Sequence, residues 1–373
     1  MQKKEEIAMK NIAEMDKNMA IKKPAESDEK DWHSPAEKPA ELSGFAFFDT
    51  DRRYCRIPFA YDKIMQKVNP NVCSLAKNPS GGQIRFISDS SSLSVRVTLD
   101  TPADMGHMPA TGQCGFDAYL RPVSGGEWVF AGISRYDHTL KEYTSEIFSG
   151  LPPENREFLL HFPLYKEVKE VSIGLDKGAS LLPPSPRKEK GRIVWYGTSI
   201  AQGGCAARPG MSFTNILSRR LDVEIINLGF SGNGLGEPEM AEICASVPDK
   251  RVFVMDYDAN AGARGLLEET LDPFLDVIRR ADPALPILVI SAAPVPDEKL
   301  KPEVNRNRKL RRDFQKRCVK RRRAEGDINL HYLDGRDLWG ADYCEFAVDG
   351  VHPTDLGFYE MSKTLYPVLK NFL

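Results

Sequence analysis

The spacing of apolar residues changes once along this chain, near residue 178, and few architectures accommodate such a change. Upstream, Leu93, Val95, Val97 and Leu99 alternate with Ser94, Arg96 and Thr98, the period of two expected of a strand with one buried face. Phe158, Leu160 and Phe162, then Val171, Ile173 and Leu175, repeat it. Shorter apolar runs at 84–87, 115–119 and 128–130 are set off by turn-forming clusters at 78–82 and 124–126. Short strands between turns, with almost no helical spacing, predict a β-sandwich over residues 44–177.

Downstream the rhythm becomes strand, helix, strand. The runs 193–196, 223–228, 252–256, 287–291 and 330–333 are almost wholly apolar, and the stretches 212–221, 237–245 and 266–281 between them carry helical spacing. Such strands are buried on both faces, so residues 191–373 are expected to form a parallel sheet covered by helices on each side. The segment 178–190 (GASLLPPSPRKEK) holds three prolines and a charge run, which suits an exposed linker. Residues 1–43, with charges of alternating sign and sparse apolar residues, read as a charged N-terminal arm. A length of 373 residues accommodates two domains.

Composition narrows the partners. A formal net charge of -2 gives no overall basic excess, so no nucleic-acid partner is expected. The one basic concentration, residues 306–323, has few aromatics and reads as a solvated helix face. Seven cysteines, an odd number without a CxxC pair, suggest reduced thiols and a cytoplasmic location. No basic start leads into an apolar leader within this sequence, which leaves export through a leader outside it open, and no run is long enough to span a bilayer, so no membrane partner is expected.

Candidate chemistry falls at strand ends. Ser199 follows the first parallel strand in Gly197-Thr198-Ser199-Ile200, where a turn into a helix would present its hydroxyl and aim backbone N–H groups at the same point; a helix-capping role is the plainer alternative. After the second strand comes the glycine-rich run 229–234, including Gly232, which either brings a backbone amide close to an oxyanion or is an ordinary loop. After the third comes Asp258-Ala259-Asn260, whose Asn260 amide is a second possible oxyanion donor. Late in the chain, Asp349 precedes His352 by three residues in Asp-Gly-Val-His-Pro. A serine nucleophile needs a histidine to accept its proton and a carboxylate to orient that histidine.

Together these four blocks resemble the SGNH (GDSL-like) esterase and acyltransferase superfamily over residues 191–373. GTSI resembles its nucleophile block, GFSGNG its glycine block, DYDAN its asparagine block and DGVHP its Asp-x-x-His block. Thr198 stands where the family usually has Asp, and Asp-x-Asn replaces Gly-x-Asn-Asp. Upstream, Gly115-Phe116-Asp117-Ala118-Tyr119 resembles the Gly-x-Asp-Leu-Tyr signature of a jelly-roll domain preceding one SGNH branch, and Tyr54-Cys55-Arg56-Ile57-Pro58 a neighbouring motif. The resemblance implies a flavodoxin-like three-layer α/β/α domain behind an all-β jelly-roll sandwich. It implies Ser199 as nucleophile, His352 as base, Asp349 as its orienting acid, and the Ser199 amide, Gly232 and Asn260 as oxyanion donors. It calls for no metal or other cofactor. The expected activity is hydrolysis of short acyl esters, acetyl above all, of a carbohydrate or similar polar alcohol. Acyl transfer to another alcohol, or carbohydrate binding beside a silent α/β domain, are the alternatives.

Overall fold

A computed structural model describes residues 30–373. Two antiparallel sheets face each other in the first half. One has the order β1 (Lys30–His33), β9 (Val168–Asp176), β4 (Leu93–Leu99), β7 (Glu142–Phe148); the other runs β2 (Glu41–Ser43), β3 (Gln83–Ser88), β8 (Arg156–His161), β5 (Asp117–Pro122), β6 (Val129–Ile133). The alternating residues meet between them: Val95 and Ile173 from one sheet, Phe86, Phe158 and Leu160 from the other, all fully buried.

The second half is a five-stranded parallel sheet with the order β11 (Glu224–Gly229), β10 (Arg192–Gly197), β12 (Lys250–Asp256), β13 (Ile287–Ile290), β14 (Leu330–Leu333). Numbered within the domain this is 2-1-3-4-5, the flavodoxin-like order, whose switch point lies between its first and third strands. Neighbouring β10 residues serve opposite cores. Val194 and Tyr196 pack with helices Pro238–Ser246 and Leu267–Ala281, while Ile193 and Trp195 pack with helices Phe213–Leu221 and Asp355–Lys370. This is why the strand shows no polar face.

Four expectations need correction. Residues 30–43, assigned to the charged arm, supply the edge strands β1 and β2; both are short and only half-buried, so neither shows a clean alternation. The rest of that arm, 1–29, lies outside the described residues. Within the supposed sandwich, helices Asp62–Val68 and Pro70–Ala76 bury Met65, Val72 and Ala76 against the α/β sheet's own core. The linker is not simply exposed. Arg187 donates to Ser43 Oγ at 2.8 Å and Gln83 Oε1 at 2.7 Å in the sandwich, and to the Val223 carbonyl at 3.4 Å in the α/β domain.

The basic stretch lies within helix Pro302–Ala324, and many of its guanidinium groups are engaged rather than solvated. Arg308 and Arg312 share Glu298, Arg311 meets Asp258, and Arg321 and Arg322 share Asp272. Their planar heads reach carboxylates on neighbouring elements. Among the described residues no helix is long and apolar enough to cross a membrane.

Candidate active site

The site forms where β10 and β12 end. A side chain at Gly197 would come within 2.7 Å of Ala201 Cβ and 2.9 Å of the Asp256 carbonyl, so the strand can fold tightly back only because that residue is glycine. Ser199 then opens the helical turn Ser199–Gln202 and is 6% exposed. Its own amide, at the first helical position, has no acceptor within the turn.

The loop before helix Asp355–Lys370 brings the histidine. Val348 N–H donates to the His352 carbonyl at 2.9 Å and Thr354 N–H to the Phe346 carbonyl at 2.8 Å, closing residues 346–354 into a fixed turn. Asp349 Oδ1 accepts the N–H groups of Val351 and His352 at 2.9 and 2.7 Å, while Oδ2 lies 2.6 Å from His352 Nδ1. Partial burial alone would raise the Asp349 pKa, but the His352 amide, the imidazole and the Val351 amide outweigh it and hold the carboxyl down at about 2. It is therefore ionised and fixes the tautomer with a proton on Nδ1. His352 Nε2, left as acceptor, sits 2.8 Å from Ser199 Oγ.

The glycine loop is tied down amide by amide. Ser231 N–H donates to Gln202 Oε1 at 2.9 Å, Asn233 N–H to the Phe230 carbonyl at 2.9 Å and Gly234 N–H to Asn260 Oδ1 at 3.1 Å. Among the described residues the Gly232 amide alone in this run has no protein acceptor. Gly232 holds φ +69°, which glycine adopts without strain. Asn260 lies in the turn Asp258–Ala261 just beyond β12, and commitment of its Oδ1 to Gly234 leaves the Nδ2 end as a donor. Ser199, His352 and Asp349 thus form one hydrogen-bonded line, with Gly232 and Asn260 on the two loops flanking the nucleophile turn.

Several supports escaped sequence reasoning. Arg56, buried, donates to the carbonyls of Asn227 and Gly229 and stacks 4.6 Å over Phe230, so it braces the glycine loop from below. Asp117, fully buried, accepts Arg208 Nη1 at 2.6 Å and Gly210 N–H at 2.9 Å, pinning the segment that leaves the nucleophile helix. His161 Nδ1 lies 2.9 Å from the same carboxyl and its Nε2 accepts from Arg219 at 3.2 Å. Burial pushes His161 down to about 4, so a neutral imidazole faces an ionised Asp117. The Tyr165 hydroxyl reaches the Ser199 carbonyl at 3.4 Å. A side chain at Gly204 would come within 2.8 Å of Tyr165 Oη and 3.3 Å of His352 Cδ2. Motif position had marked Arg56 and Asp117, but only the fold shows what they hold.

Residues 190–370 match the model of the GDSL-like lipase/acylhydrolase family, and residues 30–181 match the GxDLY domain, the N-terminus of SGNH-hydrolase-type esterases. The chain belongs to the GDSL-like SGNH hydrolase superfamily. It is an SGNH-type acylhydrolase by family. A protein from Bacteroides ovatus described as a GDSL-like lipase is 29% identical, with a TM-score of 0.83 over 92% of this chain and 98% of that one. The salicylyl-acyltransferase SsfX3 from a tetracycline biosynthetic pathway shares the fold at 19% identity and a TM-score of 0.75, over 92% and 98% of the two chains. A family two carbohydrate esterase from Cellvibrio japonicus does so at 12% identity and 0.57, again over 92% and 98%. No functionally curated protein matches this sequence.

Proposed function

We propose that this SGNH hydrolase is a serine esterase that removes short acyl groups, acetyl above all, from a carbohydrate or similar polar alcohol. The observation that carries the reading is the continuous line Ser199 Oγ, His352 Nε2, His352 Nδ1, Asp349 Oδ2, with separations of 2.8 and 2.6 Å. His352 takes the Ser199 proton as the oxygen attacks the ester carbonyl. The amides of Ser199 and Gly232 and the Asn260 Nδ2 group hold the tetrahedral oxyanion. The protonated imidazole then gives its proton to the departing alcohol, leaving an acyl-serine, and a water activated by the same base releases the acid.

Two features bear on the substrate. An open cleft of about 610 Å³, lined by residues 106–109 of the sandwich, by Cys205, Ala207 and Val348 and by the segment 354–356 following His352, lies beside the catalytic base, with room for a ligand of several hundred cubic ångströms. The side chains of His352 and Asp349 are 24% and 36% exposed, so water reaches the base, as the deacylation step requires. The likeness to a carbohydrate esterase adds support through the fold.

The test is a comparison of p-nitrophenyl acetate, butyrate and octanoate, together with acetylated sugars, with and without an added alcohol acceptor. Preference for acetyl, with free acetate as product, is expected. Turnover of octanoate above acetate would overturn the acyl preference, and ester formation on the acceptor would replace hydrolysis by transfer.

A further inference from the structure

We infer that His107, Cys205 and His352 form an inhibitory site for a thiophilic divalent cation, zinc foremost, which switches the enzyme off by capturing its catalytic base. One ligand atom from each of the three residues lies within 4.8 Å of the other two. The three arrive from separate parts of the chain. His107 stands exposed on the sandwich loop between β4 and β5, Cys205 follows the nucleophile helix, and His352 sits in the late loop. The His107 and His352 rings are 6.0 Å apart, centroid to centroid. Two imidazoles and a thiolate are a donor set that selects zinc, copper or cobalt over magnesium or calcium, which prefer oxygen.

Tetrahedral zinc with nitrogen and sulfur ligands places those atoms about 3.5 Å apart. The cluster therefore needs to close by about 1 Å. His107 can supply that movement, since it is exposed and follows Gly106, around which there is open space. The other two donors are already placed. Cys205 is buried beside the triad, with φ +76°, and His352 is held in place by Asp349.

Binding has one consequence whichever His352 nitrogen takes the ion. Nε2 is the acceptor for Ser199 and Nδ1 is held by Asp349, so coordination at either removes one of the two hydrogen bonds on which proton transfer depends. The Cys205 thiol loses its proton to solvent as the Sγ–metal bond forms, and no electron changes hands. Because His107 belongs to the sandwich, the bound ion also ties that domain across the entrance to the base.

The proposal rests on the esterase reading for its consequence but not for its binding step, so the two are read separately. The full chain is titrated with Co²⁺ while the thiolate-to-cobalt absorption is followed, and esterase activity is titrated with Zn²⁺, each variant being referred to its own uninhibited rate. Expected are one Co²⁺ per chain, inhibition by micromolar Zn²⁺ that EDTA reverses, and no inhibition by Mg²⁺. His107→Ala, an exposed change that does not threaten folding, is expected to weaken both effects at least about 10-fold. Cys205→Ser is expected to abolish the absorption, and Ser199→Ala to retain it. Absence of the cobalt band in the wild type, its loss in Ser199→Ala, or equal zinc sensitivity in wild type and His107→Ala would overturn the site. A cobalt band without any esterase activity would leave the metal site standing and overturn the hydrolase reading instead.

Discussion

Asn260 Oδ1 accepts the backbone N–H of Gly234 at 3.1 Å, and this single bond sets the direction of the whole side-chain amide. An amide whose oxygen is committed to the glycine loop presents its nitrogen to whatever lies on the other side, which is how Asp-x-Asn can serve where the family has Gly-x-Asn-Asp. Asn260→Ala is expected to lower kcat by about 100- to 1,000-fold with little change in KM. Asn260→Asp should lose as much, because a carboxylate offers no donor to an oxyanion. Steady-state kinetics on an acetyl ester decide it; an unchanged kcat removes Asn260 from the mechanism.

Asp117 ties the sandwich to the segment beyond the nucleophile through Arg208 and Gly210. Removing one partner of a buried charge pair costs about 3–5 kcal/mol, since the other is left uncompensated. Asp117→Ala is therefore expected to lower Tm substantially and reduce activity as Ser199 loses its support. Calorimetry checks the first effect and ester hydrolysis the second. A variant that melts with the wild type contradicts the anchoring role.

His161 gives the same interface an acid limit. In the unfolded chain it takes up a proton as pH falls through about 6.5, whereas burial delays protonation in the folded chain to about 4. Protonation thus favours unfolding throughout that window, and stability should fall by on the order of 3 kcal/mol as pH drops across it. His161→Gln, which keeps a donor for Asp117 and an acceptor for Arg219 without titrating, should flatten the dependence. Equal slopes in the two proteins would exclude His161 as the source.

Asp256 works in the opposite direction. Burial at the end of β12, reinforced by the neighbouring Asp258 carboxylate, pushes its carboxyl up to about 8 from an ordinary 3.8. The folded protein retains a proton that the unfolded chain gives up, so stability is lost as pH rises from about 4 towards 8. The Tm of Asp256→Asn relative to wild type should climb across that range, reflecting a difference of a few kcal/mol. Parallel Tm curves would contradict it.

What the amino-acid order made legible follows from local rules. Strands buried on both faces must be apolar throughout, so the parallel sheet announced itself at Ile193, Val252 and Ile287. A carboxylate three residues before a histidine can share its loop, and Asp349 does. The unread parts depend on approaches between distant segments. Arg56 meets Gly229 from 173 positions away, and nothing near Arg56 in the chain signals that encounter. Tyr165 and Gly204 shape the space around Ser199 and His352 without belonging to a catalytic block. β7 buries Tyr143, Ser145 and Ile147, but the polar serine in the middle breaks the alternation. The arginines of helix Pro302–Ala324 looked solvated because their carboxylate partners Glu298, Asp258 and Asp272 lie on other elements.

The account stands on Ser199 being activated by His352 across 2.8 Å, and an organophosphonate reagent reports that activation without knowledge of the substrate. Mass spectrometry of the intact protein and its peptides should find one phosphonyl group per chain, located on Ser199, absent in Ser199→Ala and formed far more slowly in His352→Ala. A wild-type chain that stays unlabelled, or labels as fast without His352, contradicts the serine mechanism.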